Sequence, residues 1–251
     1  MQVNRRREAR ARAFAAAQKG GSQMTPDIPA TEALARIRDA PADRPFVVAQ
    51  LGQSLDGRIA LASGESRYIN GEVALDHLHR LRASVDAVIV GAGTVFADNP
   101  RLDVRRAAGS NPARVVIDPR GRLDGDGAWR RDDGTRRILV TRADARPACD
   151  METIALPHVD GAIAPHEIVA ALHARGLRRL LIEGGARTVS GFIDAGCVDR
   201  LHVLVACMLI GSGKPSLELA PLRRLADARR PQTDIYRLGA DDVLFDCALK
   251  G

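Results

Sequence analysis

Continuous apolar runs alternate with amphipathic stretches along most of the chain. Residues 45–52, PFVVAQLG, form an apolar run of strand length and predict a central strand covered on both faces. VDAVIVGAG (85–93) repeats the pattern and runs into glycines. Shorter runs at 113–119, 136–141 and 151–157 predict further strands, as do 178–185, ending in a double glycine, and the long stretch 199–211. Between them the period changes to that of helices. Val73, Leu75, Leu78 and Leu81 mark one over 71–83; 165–176 opens on a proline and closes on a glycine; 186–196 stops at Gly196. Thr31, Leu34, Ile37 and Arg38 predict a short amphipathic helix ended by Pro41 and Pro45, and 234–249 reads as a closing hairpin turning between Gly239 and Asp242. This alternation predicts an α/β domain: a mostly parallel mixed sheet, helices on both faces and antiparallel C-terminal strands. Residues 20–30 read as a connector, and the polar, glycine-rich 119–134 as a surface loop.

Composition narrows the class. The 251 residues are 45% hydrophobic, enough for a substantial core, and 27% charged, which argues against a membrane protein. No apolar run approaches the roughly 20 residues needed to cross a bilayer. Cys149, Cys197, Cys207 and Cys247 form no CxxC pair, so a reducing cytoplasm is expected. Residues 1–20 hold six Lys or Arg against one Glu, which is +5 of the net +6. This basic arm reads as a solvated tail. With two Tyr, one Trp and five Phe, a stacking platform for nucleic acid is hard to assemble, so neither a specific nucleic acid nor a membrane is expected as partner.

No GxGxxG follows a strand, and no GxxxxGK[ST], GxSxG or zinc-deaminase motif occurs. Instead, glycines stand at three strand ends: Gly52, Gly91 with Gly93, and Gly184 with Gly185. Ligands of parallel sheets bind beyond such ends, and a helix following a glycine offers free N–H groups to phosphate. Ordinary tight turns would use the same glycines. Ser66 and Arg67 could reach a ligand or cap the next helix; Asp98 and Arg105 could hold one, or Asp98-Asn99-Pro100 could be a helix-ending turn. His77 and His79, two apart on one helix, are a poor metal pair. Without an evident nucleophile or metal site, chemistry delivered by a cofactor is the better enzyme reading.

Four spaced segments, SLDGRIALASGESRYI, HRLRASVDAVIVGAGTVFADNPRLDVR, LLIEGGARTVSGFIDAG and VDRLHVLVACMLIGSG, together resemble the reductase domain of bacterial riboflavin biosynthesis, a family with a dihydrofolate-reductase-like fold. The resemblance covers residues 45–249. It implies a stand-alone reductase domain over 45–251, preceded by a basic arm, linker and short helix over 1–44. It further implies NADPH-dependent reduction of 5-amino-6-(5-phosphoribosylamino)uracil to the ribitylamino compound, by hydride delivery to C1′. Ser66, Arg82, Asp98, Leu102, Arg105 and Glu183 match positions around the substrate, with Asp98 the candidate for orienting the reacting end. Gly52, Tyr68 and Thr94 match cofactor-side positions, joined by Gly91, Gly93, Gly184 and Gly185 at the strand ends. The sequence departs from the family at Tyr68, often tryptophan; at Gln50, often lysine; and at Asp103, usually threonine, which sets a negative charge near the expected phosphate ligand Arg105. A relative reducing a dihydropterin such as dihydromethanopterin is the alternative. The family also implies a homodimer, for which 199–210 or 234–247 would serve as an exposed edge.

Overall fold

The computed structural model describes residues 30–67, 69–123, 127–147 and 151–250. Tyr68, Cys149 and the basic arm lie outside the described residues. Strands β1 (Phe46–Ser54), β3 (Ala87–Gly91), β4 (Ala113–Ile117), β5 (Arg137–Arg142), β6 (Glu152–Leu156), β7 (Arg179–Glu183), β8 (Arg200–Ala206), β10 (Gln232–Leu238) and β11 (Asp242–Ala248) form one nine-stranded sheet. Its order is β10-β11-β8-β1-β7-β3-β4-β5-β6. Every pairing from β8 through β1 to β6 is parallel, and β11 and β10 add antiparallel strands at the other edge. A two-stranded flap joins β2 (Arg58–Ala60) to β9 (Lys214–Pro215).

The apolar runs become central strands because both faces are covered. Val47 and Ala49 of β1 face α4 (Pro165–His173) and α5 (Ala186–Asp194), and Val48 faces the opposite layer with α2 (Glu72–Arg82) and α3 (Ala92–Asp98). The helix signals act where expected: Pro165 opens α4, and Gly196, at φ +65°, follows α5. Two carboxylates fasten strand starts. Asp199 Oδ2 accepts the Val47 N–H at 2.8 Å, and Asp86 Oδ2 accepts those of Arg178 and Arg179.

Three features differ from expectation. Within 119–134, Leu123 and Trp129 are buried, and a 3-10 turn at Ala128–Arg130 holds the indole in the core. Isolated apolar residues in a polar stretch leave no periodicity to detect. The stretch 199–210 is no edge, since β8 lies between β1 and β11; β10 is the exposed antiparallel edge. The helix over α1 (Thr31–Arg38) precedes residue 45, yet Ala33, Leu34 and Ile37 are buried and Arg36 bonds Asp246 at 3.1 Å.

Candidate functional site

The parallel strands β1, β7 and β3 all finish on one side of the sheet; β3 ends on Gly91 and Gly184 follows β7, whereas Gly52, expected at a strand end, lies inside β1 two residues before Ser54. A cleft of about 930 Å³ opens beyond these ends, at the upper limit of ligand sites, which run to roughly 1,000 Å³. It reaches from Leu204 on β8 to Ile117 on β4. Four strand spacings make that about 19 Å.

The two central glycine turns interlock. A Cβ on Gly91 would stand 2.6 Å from Thr188 Oγ1 of α5, and one on Gly184 would stand 2.8 Å from Thr94 Oγ1 of α3. Thr94 Oγ1 also accepts the Gly185 N–H at 3.1 Å. Each turn therefore seats the other's threonine, and Gly184 at φ +109° holds a conformation that side chains rarely adopt. Gly52 is fixed differently: a Cβ there would overlap Asn70 Oδ1, whose amide nitrogen donates to Asp242 at 2.7 Å.

Of the expected site residues, Gly52, Ser66, Gly91, Gly93, Thr94, Asp98, Gly184 and Gly185 line this cleft. Asp98 is exposed at the last turn of α3. Tyr68 lies outside the described residues. Arg82, Leu102, Arg105 and Glu183 are not among the lining residues. Arg82 and Glu183 face one another in a buried bidentate pair at 2.7 and 2.6 Å, and Arg82 also donates to the Asp103 carbonyl. Leu102 is buried at φ +55°.

Arg105 is exposed and gives its guanidinium to Asp103 at 2.7 Å. Asp103, buried, also meets Arg101 and Arg131. Burial alone would raise its carboxyl, but bonds from Arg105 and Arg131 reverse this and hold it down to about 2. The charge at Asp103 is thus spent on three arginines of the protein. His79 receives the Arg105 backbone N–H on Nδ1 at 3.2 Å; burial, then the Arg82 and Arg105 charges, lower its pKa to about 4. These groups brace the loop that follows Asp98.

A polar row crosses the sheet beside the cleft: Asp246, His202, Gln50 and Glu183 are register partners on β11, β8, β1 and β7. Of these, Gln50 lines the cleft. His77 of α2 covers the row, its ring 5.9 Å from that of His202, and burial followed by the His202 and Arg80 charges lowers its pKa to about 3.

The sequence reading missed Arg122 and Lys214 as cleft-lining cations, along with Asn70. Lys214 comes from the flap strand β9, too short to announce itself. Arg187, the second residue of the helix after the double glycine, lines the cleft as well. Among the described residues, no three His, Cys, Asp or Glu side chains converge as a metal site.

Comparison with known proteins bears on this geometry. Residues 45–243 match the RibD C-terminal domain family. The chain is 34% identical over 222 residues to a 2,5-diamino-6-ribosylamino-4(3H)-pyrimidinone 5′-phosphate reductase of Methanothermobacter thermautotrophicus, covering 83% of this chain and 100% of the relative. It is 36% identical over 174 residues to the riboflavin biosynthesis protein RibD of Corynebacterium ammoniagenes, covering 68% of this chain and 45% of that protein. A crystal structure of the Thermotoga maritima diaminohydroxyphosphoribosylaminopyrimidine deaminase/5-amino-6-(5-phosphoribosylamino)uracil reductase is similar at TM-score 0.69 and 27% identity, over 82% of this chain and 57% of that one. The chain thus spans the whole archaeal reductase but about half of these bacterial proteins.

Proposed function

The chain belongs to the RibD C-terminal domain family, and from that premise we propose that it reduces 5-amino-6-(5-phosphoribosylamino)uracil to the 5-phosphoribitylamino product with NADPH. The observation that carries the reading is the interlocked pair of glycine turns at the floor of the cleft. They hold the backbone of both turns at the cleft surface, with Gly93 facing open space, beside the start of α5, whose free N–H groups and Arg187 suit a pyrophosphate. Gly91, Gly93, Gly184, Gly185 and Thr94 would hold that part of the cofactor, and Gly52 would admit its nicotinamide end. When bound, the cofactor supplies a hydride to C1′ of the ring-opened ribosylamine.

The chain's own residues then bind and orient. Asp98 at the cleft rim orients the reacting end, and the balancing proton enters from solvent there. Ser66 also lines the cleft and offers a hydroxyl to the substrate. Arg82 and Glu183 act by bracing the loop beyond Asp98 rather than through the cleft surface. Arg105 remains the candidate phosphate ligand, exchanging Asp103 for substrate, with Lys214 a cation already in the cleft. A homodimer accompanies this reading. The open edge of β10, with Ile235 exposed, is the surface available for it, and light scattering would test it.

A second reading has an observation of its own. The archaeal relative matched over its whole length is named for the diaminopyrimidinone, which carries an amino group where the uracil has oxygen. Loss of NADPH absorbance should be followed with the uracil phosphate, the diaminopyrimidinone phosphate and a dihydropterin. Turnover on either pyrimidine supports the reading, faster turnover on one identifies the substrate, and oxidation with the dihydropterin alone overturns it. Asp98→Asn should lower kcat at least about tenfold while NADPH affinity holds.

A further inference from the structure

The loop beyond Asp98 carries a cluster of charge centred on Asp103, whose side chain is only 4% exposed. Three arginines reach this carboxylate, and they are not alike. Oδ2 accepts from Arg101 through Nε at 3.0 Å and from Arg131 at 3.2 Å. Arg131 is itself pinned, because it also donates at 2.8 Å to Asp133, which the fully buried Arg114 holds in turn. Oδ1 has Arg105 alone among the described residues, at 2.7 Å. The Arg105 side chain is half exposed, and among the described residues no acceptor engages its Nε or its second terminal nitrogen.

The backbone beneath is fixed. Arg82 donates to the Asp103 carbonyl at 3.1 Å, Asn111 accepts the Val104 N–H at 2.8 Å, and His79 accepts the Arg105 N–H at 3.2 Å. Arg105 can therefore swing its guanidinium away while its backbone stays. Oδ2 keeps Arg101 and Arg131, so the buried carboxylate is not left as a lone charge. A guanidinium that takes a phosphate dianion must first give up Asp103, and the carboxylate left behind repels the newcomer. The threonine usual at this place in the family would do neither. A substrate anchored also by its base can still displace the carboxylate, whereas a free anion has nothing else to hold it. We propose that Asp103 is a resident competitor for Arg105, which weakens binding of the substrate phosphate and keeps free inorganic anions off that arginine. This rests on the reductase reading above and adds a residue of this chain that sets affinity for the phosphorylated substrate.

The test is steady-state oxidation of NADPH with whichever pyrimidine phosphate the unaltered protein turns over. In Asp103→Asn and Asp103→Thr the KM for that substrate should fall about 3- to 10-fold, between the worth of a surface ion pair and that of a buried charge-assisted hydrogen bond. The effect should fall on KM rather than kcat. Inorganic phosphate should inhibit both variants at correspondingly lower concentration, and the KM for the dephosphorylated substrate should not move. Arg105→Ala should raise KM and, combined with Asp103→Asn, should remove the gain. An unchanged or higher KM in the folded variants, or an equal gain with the dephosphorylated substrate, overturns the proposal. A crystal structure of the unaltered protein with the phosphorylated product needs no variant: Arg105 should have left Asp103 for the phosphate, and Arg105 still on Asp103 with the phosphate elsewhere overturns it. Failure of the unaltered protein to turn over either pyrimidine phosphate overturns the reductase reading, and this inference with it.

Discussion

Replacing Arg82 with leucine should destabilise the protein far more than an ordinary surface substitution. Both partners of the Arg82–Glu183 pair have side chains only 8% exposed, and two hydrogen bonds at 2.7 and 2.6 Å join them. The variant leaves the Glu183 carboxylate nearly dry and uncompensated, and frees the Asp103 carbonyl that Arg82 also serves. Breaking a buried pair by removing one partner costs about 3–5 kcal/mol. Against a typical total of about 5–15 kcal/mol, that is a large fraction. A chain of this size should lose roughly 6–20 °C in Tm. Trp129, the single tryptophan and buried, supplies a fluorescence probe for urea unfolding. Glu183→Leu should cost a similar amount, while the double variant should regain at least about 2 kcal/mol relative to additivity, because no lone charge remains. A substitution of Arg82 costing under about 0.5 kcal/mol, or a strictly additive double variant, would refute the argument that the pair is a buried brace.

Three further outcomes are expected. His77 and His79 have folded pKa values lowered to about 3 and about 4, so the unfolded chain takes up protons first as pH falls below the ordinary histidine value of about 6.5. Their contribution is complete above that pH and is lost as pH falls towards 4 and 3; the urea midpoint should drop over this window, less so in His79→Gln, and a flat profile in the native protein would contradict it. A chain beginning at Pro41 loses the buried Leu34 and Ile37, roughly 3–6 kcal/mol, and the Arg36 bond to Asp246; a urea midpoint equal to that of the longer chain would show that α1 is dispensable. Gly93→Ala meets nothing within 4 Å, so stability should hold or rise by up to about 1 kcal/mol, yet NADPH should bind at least about tenfold more weakly; unchanged affinity would reduce this turn to a structural feature.

Much of the architecture was legible because its causes are local. The apolar runs at 45–52 and 85–93 become β1 and β3, the glycine after α5 ends it, and the turn after Leu238 closes the hairpin, each set by side-chain period or by φ freedom within a few residues. The glycines at the ends of β3 and β7, and with them the side of the sheet where the cleft opens, could be found in the same way, although Gly52 falls inside β1. Nothing local says what a residue will face. Arg82 and Glu183 are 101 positions apart, and neither carries a mark of the other; their matching to substrate positions did not disclose that each uses its charge on the other. Thr94 and Thr188 look like ordinary helix residues until the parallel order β7-β3 sets each against the other's glycine. Trp129 enters the core although its segment looks like a loop, α1 packs into the domain from outside the stretch 45–251, and Arg122 gains its orientation from Phe96, 26 residues earlier. Periodicity and backbone freedom belong to a segment and can be read from it. Partners belong to the sheet order, which is decided by whichever arrangement buries all the apolar faces at once.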